Sequence, residues 1–344
     1  MRISSLEMSQ VFSDILVQFG FSPEDAKESA DLFVQNSLDG VYSHGVNRFI
    51  RVIDYLKKGY IDPKATPSVE QQFGCMERWN GNLGMGNLNA KKAMNRAIEL
   101  AKEFGVGCVA VNNTNHWMRG GSYGWQAADS GCIGICFTNT QPNMPAWGAK
   151  DRRIGNNPFV MAIPRGNNEH VVVDCAMAQY SYGKIEEAKL KGTQLPFPGG
   201  FDEEGALSTD PKEIEKTWRV LPIGYWKGSG MSIAFDMIAS MLAGGNSVAK
   251  IGTLGGDEFA LSQVLIAIDP FRFSSVEAGE AQVEAILEDL KASLPVEEGK
   301  PVTYPGERTI LTRKENQEQG IPVHEDVWSS ILSLVKKGNI HESN

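Results

Sequence analysis

Phe159-Val160-Met161-Ala162-Ile163 and His170-Val171-Val172-Val173-Asp174 are two short apolar runs joined by Pro164-Arg165-Gly166-Asn167-Asn168-Glu169. The Gly-Asn-Asn turn in that joint makes the pair a β-hairpin. Hairpin strands run antiparallel, whereas parallel strands need a long crossover, usually a helix. The sheet that holds this hairpin is therefore not the all-parallel sheet of a doubly wound domain. The chain reads as α/β with a mixed, largely antiparallel sheet.

The flanks alternate in the same sense. Upstream, Asn89 to Phe104 has helical spacing and is closed by Gly105; Val106 to Val111 is a strand, Gly121 to Ser130 a helix and Cys132 to Phe137 a strand. Downstream, Met231 to Ala243 is an apolar helix and Gln263 to Ile268 a strand. Ser274 with Glu277 forms a capping box for a helix to about Leu290, followed by a Pro- and Glu-rich loop from Leu294 to Tyr304. Asp326 to Lys336 is a last helix, with a frayed tail after Lys337. At the other end, Ser22-Pro23-Glu24-Asp25 caps a helix to about Leu38. Tyr60 to Pro67 is a Pro-containing connector. These signals divide the chain into a helical lobe, 1–70 with 275–344, and a sheet lobe, 71–274.

Composition narrows the partners. Lys and Arg number 33 and Asp and Glu 42, so the formal charge is 33 − 42 = −9. There is no basic run, and nucleic acid or an anionic membrane is a poor match. Met1 to Gln10 is polar and lacks a signal core. No apolar run approaches the ~20 residues that cross a bilayer. A cytoplasmic protein is expected. Of the five cysteines, Cys108, Cys132, Cys136 and Cys175 sit in apolar runs and read as buried free thiols; none of the five forms a C-x-x-C pair. No metal site is expected.

Tyr42-Ser43-His44-Gly45-Val46-Asn47-Arg48 is the stretch with chemistry in it. Phe49, Ile50, Val52, Ile53 and Leu56 follow with helical spacing, so His44 and Arg48 stand four apart where a helix begins. An arginine fork suits a carboxylate, and histidine moves a proton near neutral pH. The pair suits a 2-keto acid, with Arg48 on the carboxylate and His44 protonating the ketone oxygen. A surface turn with a solvated arginine is the bland alternative. Asn115-His116-Trp117 adds a second histidine past a strand end, for proton transfer or a nicotinamide contact. Lys150, in a donor-rich loop, could orient substrate. Asp174 could meet a ribose hydroxyl or His44.

Two glycine-rich stretches invite a dinucleotide reading. Gly84-Met85-Gly86-Asn87-Leu88-Asn89 lacks the third glycine and an evident βαβ unit, and is better read as a capping turn. Tyr225-Trp226-Lys227-Gly228-Ser229-Gly230 leads into the Met231 helix. Its free N–H groups and Lys227 would make an anion site for a pyrophosphate. Two rival classes stay open. A non-catalytic sugar-acid binder would need Arg48 and no cofactor. A metal hydrolase would use His44 and His116 with a third ligand.

The stretch Asp39 to Phe49 resembles the signature of the malate/L-lactate dehydrogenase-like family, oxidoreductases unrelated to the Rossmann dehydrogenases. Asn115 to Gln126, Pro145 to Lys150, Arg153 to Gly155 and Leu221 to Ser232 carry the likeness over nearly the whole chain. The resemblance implies a homodimer with a non-Rossmann nicotinamide-binding lobe at 71–274, and a helical lobe on the substrate and dimer side. It implies NADH as cofactor, with NADPH as the alternative, and a small 2-keto sugar acid or a related 2-keto, 2-hydroxy or 2-imino acid as substrate. It implies His44 as proton donor, with His116 as the runner-up for that role and Ser43, Arg48 and Lys150 around the substrate. Cofactor contacts are implied at His170, Val171, Val172, Val173, Asp174, Cys175 and Ala176, at Trp226 and Lys227, and at Gly306, Glu307 and Arg308.

Overall fold

The computed structural model describes residues 1–255 and 257–335. A seven-stranded sheet forms its middle, built from β1 (Ser68–Phe73), β2 (Met76–Asn80), β3 (Val106–Thr114), β4 (Ile133–Thr138), β5 (Phe159–Ile163), β6 (Val171–Cys175) and β7 (Leu261–Ile268). The spatial order is β1-β2-β3-β7-β4-β5-β6. Every neighbouring pair is antiparallel save β2 and β3. The expected hairpin is β5–β6, in register from Phe159↔Cys175 to Ile163↔Val171. Mixed and largely antiparallel is thus the observed fold.

The strands alternate, and the alternation sorts the core. Val109, Val111, Leu265 and Ala267 face one way with Cys136 and Val160, and pack under the helices α4 (Gly86–Phe104) and α5 (Gly121–Asp129). Cys108, Ala110 and Val264 face the other way with Phe137, against Ala239 and Ala243 of the Trp226–Ala243 helix. A separate cluster joins α1 (Ser5–Gln18), α2 (Pro23–Leu38) and α3 (Val46–Lys57) to Ile321, Trp328 and Ile331. Its centre is aromatic: Phe12 stacks on Phe49 at 4.0 Å, and Phe33 meets both edge-on. Arg2–Ile3 pairs with Ile321–Pro322, which ties the N-terminal segment and the segment at 321–322 to that cluster. Ile310 does not join it; it packs on the sheet side.

Several elements depart from the sequence reading. α1 was hidden in a polar opening, because its inward face mixes Met8, Phe12, Ile15 and Leu16 with Ser9 and Ser13. Further helices form at Tyr182–Lys191, Pro211–Thr217 and Glu307–Gln319. The helix expected from Met231 begins five residues earlier, at Trp226. Ser275, not Ser274, caps Val276–Lys291 by accepting the Ala278 N–H. Cys175 is half-buried rather than buried. The last helix spans Glu325–Leu332; Lys336, the tail and His341 lie outside the described residues.

The turn at Gly84 to Asn89 does lie in a βαβ unit, β2–α4–β3, which the sequence reading did not see. The glycine at its helix start has another purpose than a phosphate cradle. A Cβ on Gly86 would stand 2.3 Å from the carbonyl oxygens of both Asn115 and His116. The helix start therefore presses on the backbone that carries the second histidine. Ala in place of Gly inside a helix ordinarily stabilises by about 0.5–1 kcal/mol. Gly86→Ala is expected to do the reverse, lowering unfolding free energy by about 1–3 kcal/mol through overpacking. Urea unfolding of the two proteins checks the sign.

Candidate active site

The last turn of α2 builds the loop that presents the first histidine. Ser37 Oγ donates to the Phe33 carbonyl and accepts the Val46 N–H, both at 2.9 Å. Asn36 Nδ2 donates to the His44 carbonyl at 2.9 Å, while Ser122 Oγ donates to Asn36 Oδ1 at 2.7 Å. Gly45 is required where these meet, since a Cβ there would lie 2.2 Å from Ser37 Oγ. Tyr42–His44 forms a 3-10 turn, and the α-helix starts only at Val46. His44 and Arg48 therefore do not share one helix face, as spacing alone suggested. They remain electrostatic neighbours, and Ser43 Oγ lies 3.1 Å from His44 Nδ1.

The end of β3 delivers the second histidine. Asn115 is buried, and its Nδ2 donates to the carbonyls of Tyr60, Leu83 and Gly84. Gln263 of β7 donates to the Asn115 carbonyl. Met118 adopts φ +67°, a left-handed conformation rare for such a residue. In that pose its N–H donates to His116 Nδ1 at 2.9 Å. The His116 Nδ1 lone pair is thus occupied, and the ring's proton sits on Nε2. The two imidazoles stack, with centroids 5.7 Å apart and planes 17° from parallel. Arg48, Arg51, Tyr55, Asn115, His116 and Met118 line a small cavity beside them.

This surround disfavours positive charge on either ring. Burial, then Arg48, then Arg119 push His44 down from 6.5 to about 4. Burial first, then Arg48, His44 and Arg51, hold His116 well below its ordinary value. Both rings therefore favour the neutral form at pH 7. Glu258, just upstream of β7, brings an anion: its Oε2 accepts from Arg48 Nη2 at 3.3 Å and lies 3.8 Å from His116 Nε2. Among the described residues, no group of three or more His, Cys, Asp or Glu is placed to hold a metal ion.

A buried ionic network backs the site, and the sequence reading missed it. Asp39, one turn before His44, accepts hydrogen bonds from Arg119, from Arg313 at 2.6 and 3.0 Å, and from Gln35. Arg119 Nε lies 3.6 Å from Asp174 Oδ2, which also accepts the Gly121 N–H at 2.9 Å. Burial raises the Asp174 carboxyl, against the pull of Arg119. The end of β6 and the His44 turn are thus joined through one arginine. No periodicity marks such a network; its members come from four separated stretches.

The remaining predicted residues scatter. Lys150 is exposed on a surface loop, and among the described contacts its side chain has none with His44, Arg48 or His116. The His170 ring is buried and committed: Arg165 N–H donates to Nδ1, and Nε2 lies 2.9 Å from Asp129 Oδ1. Val172 N–H donates to the Pro305 carbonyl, and a Cβ on Gly306 would lie 2.9 Å from the His170 carbonyl oxygen. His170 to Val172 and the Gly306 stretch therefore cover each other. Glu307 is bound by Lys291, and Arg308 is exposed. Asp174, Cys175 and Ala176 stay partly open. Trp226 and Lys227 are exposed in the first turn of their helix. The free N–H cradle expected there is absent, because Lys227 N–H and Gly228 N–H donate to the Gly224 and Ile223 carbonyls.

Known proteins can now be set beside this geometry. Two 2,3-diketo-L-gulonate reductases, from Klebsiella pneumoniae (strain 342) and Escherichia coli (strain K12), are each 44% identical over 334 residues, 97% of this chain and 100% of theirs. A sulfolactate dehydrogenase from Methanocaldococcus jannaschii superposes with a TM-score of 0.90 at 32% identity, over 97% of this chain and 96% of that one. A malate dehydrogenase from Entamoeba histolytica gives 0.91 at 26% identity, over 97% of each. A chain so matched along its length to reductases and dehydrogenases is an oxidoreductase. It belongs to the malate/L-lactate dehydrogenase family, whose model matches residues 3–332.

The electrostatics can be read directly. In an NMR titration His44 is expected to titrate near pH 4, and Arg48→Ala to move it upward. Because the unfolded chain takes that proton near 6.5 and the folded chain near 4, acid favours unfolding. The His44 contribution to stability is expected to fall as pH drops from about 6.5 toward 4. His44→Asn should flatten that part of the stability profile measured by urea unfolding.

Proposed function

We propose that this protein reduces the C2 ketone of 2,3-diketo-L-gulonate to give 3-dehydro-L-gulonate, with NADH as the reductant. The observation that carries the reading is the stacked pair of histidines beside a half-buried arginine, in a full-length relative of reductases of that name. Arg48 binds the substrate carboxylate through its fork. The bound carboxylate then adds a negative charge beside Arg48 and Arg119, the two cations that hold His44 neutral. Its pKa rises, it takes a proton, and that proton goes to the C2 oxygen. His116 has a different part. With Nδ1 filled by Met118 N–H, it keeps a neutral Nε2–H that steadies the same oxygen as charge gathers there. Ser43 orients the His44 ring.

The nicotinamide ring supplies hydride when bound. The residues open to it are the end of β6 at Asp174, Cys175 and Ala176 and the exposed Trp226 and Lys227; a carboxylate that can accept from a ribose hydroxyl and an ammonium that can meet a phosphate suit a dinucleotide. They are close in the chain's path, since Met177 and Gln179 bond to Ile223 and Leu221 just before that helix. We assign the substrate side to the helical lobe, 1–70 with 275–344, and the cofactor side to 71–274. We also take the working unit to be a homodimer. The exposed apolar side chains Met231, Met237, Ile238 and Met241 on the Trp226–Ala243 helix support that assignment.

Loss of a positioned general acid costs roughly 10²–10⁴-fold. His44→Asn is expected to lose turnover by about that factor and keep NADH binding. His116→Asn should lose less; a deeper loss there than at His44 would reverse the two roles. Arg48→Lys keeps the charge and loses the fork. It should raise the keto-acid KM strongly and leave the NADH KM near wild type, as read from NADH oxidation against a panel of 2-keto acids.

A further inference from the structure

Glu258 lies against both Arg48 and His116. It is 7% exposed, and its backbone N–H donates to the Tyr55 hydroxyl at 3.4 Å. One oxygen, Oε2, receives Arg48 Nη2 at 3.3 Å and stands 3.8 Å from His116 Nε2. Two donors from different elements therefore aim at a single carboxylate oxygen. Among the described hydrogen bonds, Nε and Nη1 of Arg48 have no partner. The grip is single and long, where an arginine fork can make two parallel bonds to a carboxylate.

We propose that Glu258 is a built-in stand-in for the substrate carboxylate, neutralising Arg48 in the empty site and ceding it to an incoming keto acid. This rests on Arg48 being the carboxylate clamp of the proposed function. A buried, uncompensated guanidinium is costly, so an empty site needs a resident anion. The resident also sets a threshold. An incoming ligand must outbid a carboxylate already in place, and its apparent affinity is reduced by that competition. A ligand that does not pair with Arg48 leaves Glu258 in place; a bidentate carboxylate displaces it. Glu258 thus acts as a selectivity filter at the first step of binding.

The test is calorimetric titration of oxamate, an unreactive carboxylate, into the full-length protein saturated with NADH. Glu258→Gln removes the charge and keeps the shape. It is expected to lower the oxamate Kd about tenfold, the scale of one nearby charge in a partly screened site. The NADH Kd should stay unchanged. Glu258→Ala should move the oxamate Kd the same way. Glu258→Asp, with its charge on a shorter arm, should fall between wild type and Glu258→Gln. An oxamate Kd in Glu258→Gln equal to or above wild type would overturn the proposal and make the residue a positioning group. Wild-type protein that binds NADH but no oxamate would be a different failure: it would remove the carboxylate clamp itself, and this inference with it.

Discussion

The buried carboxylate of Asp39 is the constraint on which the site depends. It ends α2, immediately before the chain turns toward His44, and it is held by two arginines from distant segments. Breaking such a pair from one side leaves a buried charge and costs about 3–5 kcal/mol. The geometry follows from where the partners come from. Arg119 starts the α5 turn and leans on Asp174 at the end of β6. Arg313 lies over the Trp125 ring, 4.6 Å from its centre, and comes from the C-terminal helices. One carboxylate thus binds the N-terminal helices, the sheet and the C-terminal segment into a single frame. The His44 loop hangs from that frame through Asn36 and Ser37.

A frame of arginines around two histidines has an electrical effect. It disfavours a proton on either ring, and an anion bound beside them would offset that effect. The left-handed backbone at Met118 adds a distinction between the rings that charge alone would not make. It spends one nitrogen of His116 on a backbone N–H and leaves His44 beside only a hydroxyl, which can either give or accept. Two chemically identical side chains, stacked face to face, are thereby made unequal.

Much of this was legible in the chain. The Gly-Asn-Asn joint gave away the hairpin, and so the mixed sheet, because turn chemistry is local. His44, Arg48 and His116 were visible because their residue types and neighbours are unusual together. What stayed hidden depends on long-range pairing. Glu258 reaches His116 only because β7 runs antiparallel beside β3, a relation between residues far apart in sequence. Asp39, Arg119 and Arg313 look like ordinary surface charges until the fold buries the first two and brings the third against them. The Trp226 turn misled for a local reason. Two glycines suggested a loop, but Gly228 is needed for packing, since a Cβ there would meet the Ile223 carbonyl oxygen at 2.4 Å.

The place of β7 in the sheet also governs how the chain can be assembled. Its neighbours on either side, β3 and β4, are separated from each other in sequence by one short helix, yet they do not pair. Each bonds instead to a strand at Leu261–Ile268. During synthesis both apolar strands emerge long before the one that joins them. Each therefore waits with an open edge, the feature that most readily recruits a wrong partner. Closing the sheet means drawing in a distant segment and sliding it between two waiting edges, a slow step for any topology rich in non-local pairs. The same late strand carries Glu258 and Gln263 to His116 and Asn115, so the site is finished in the act that finishes the sheet.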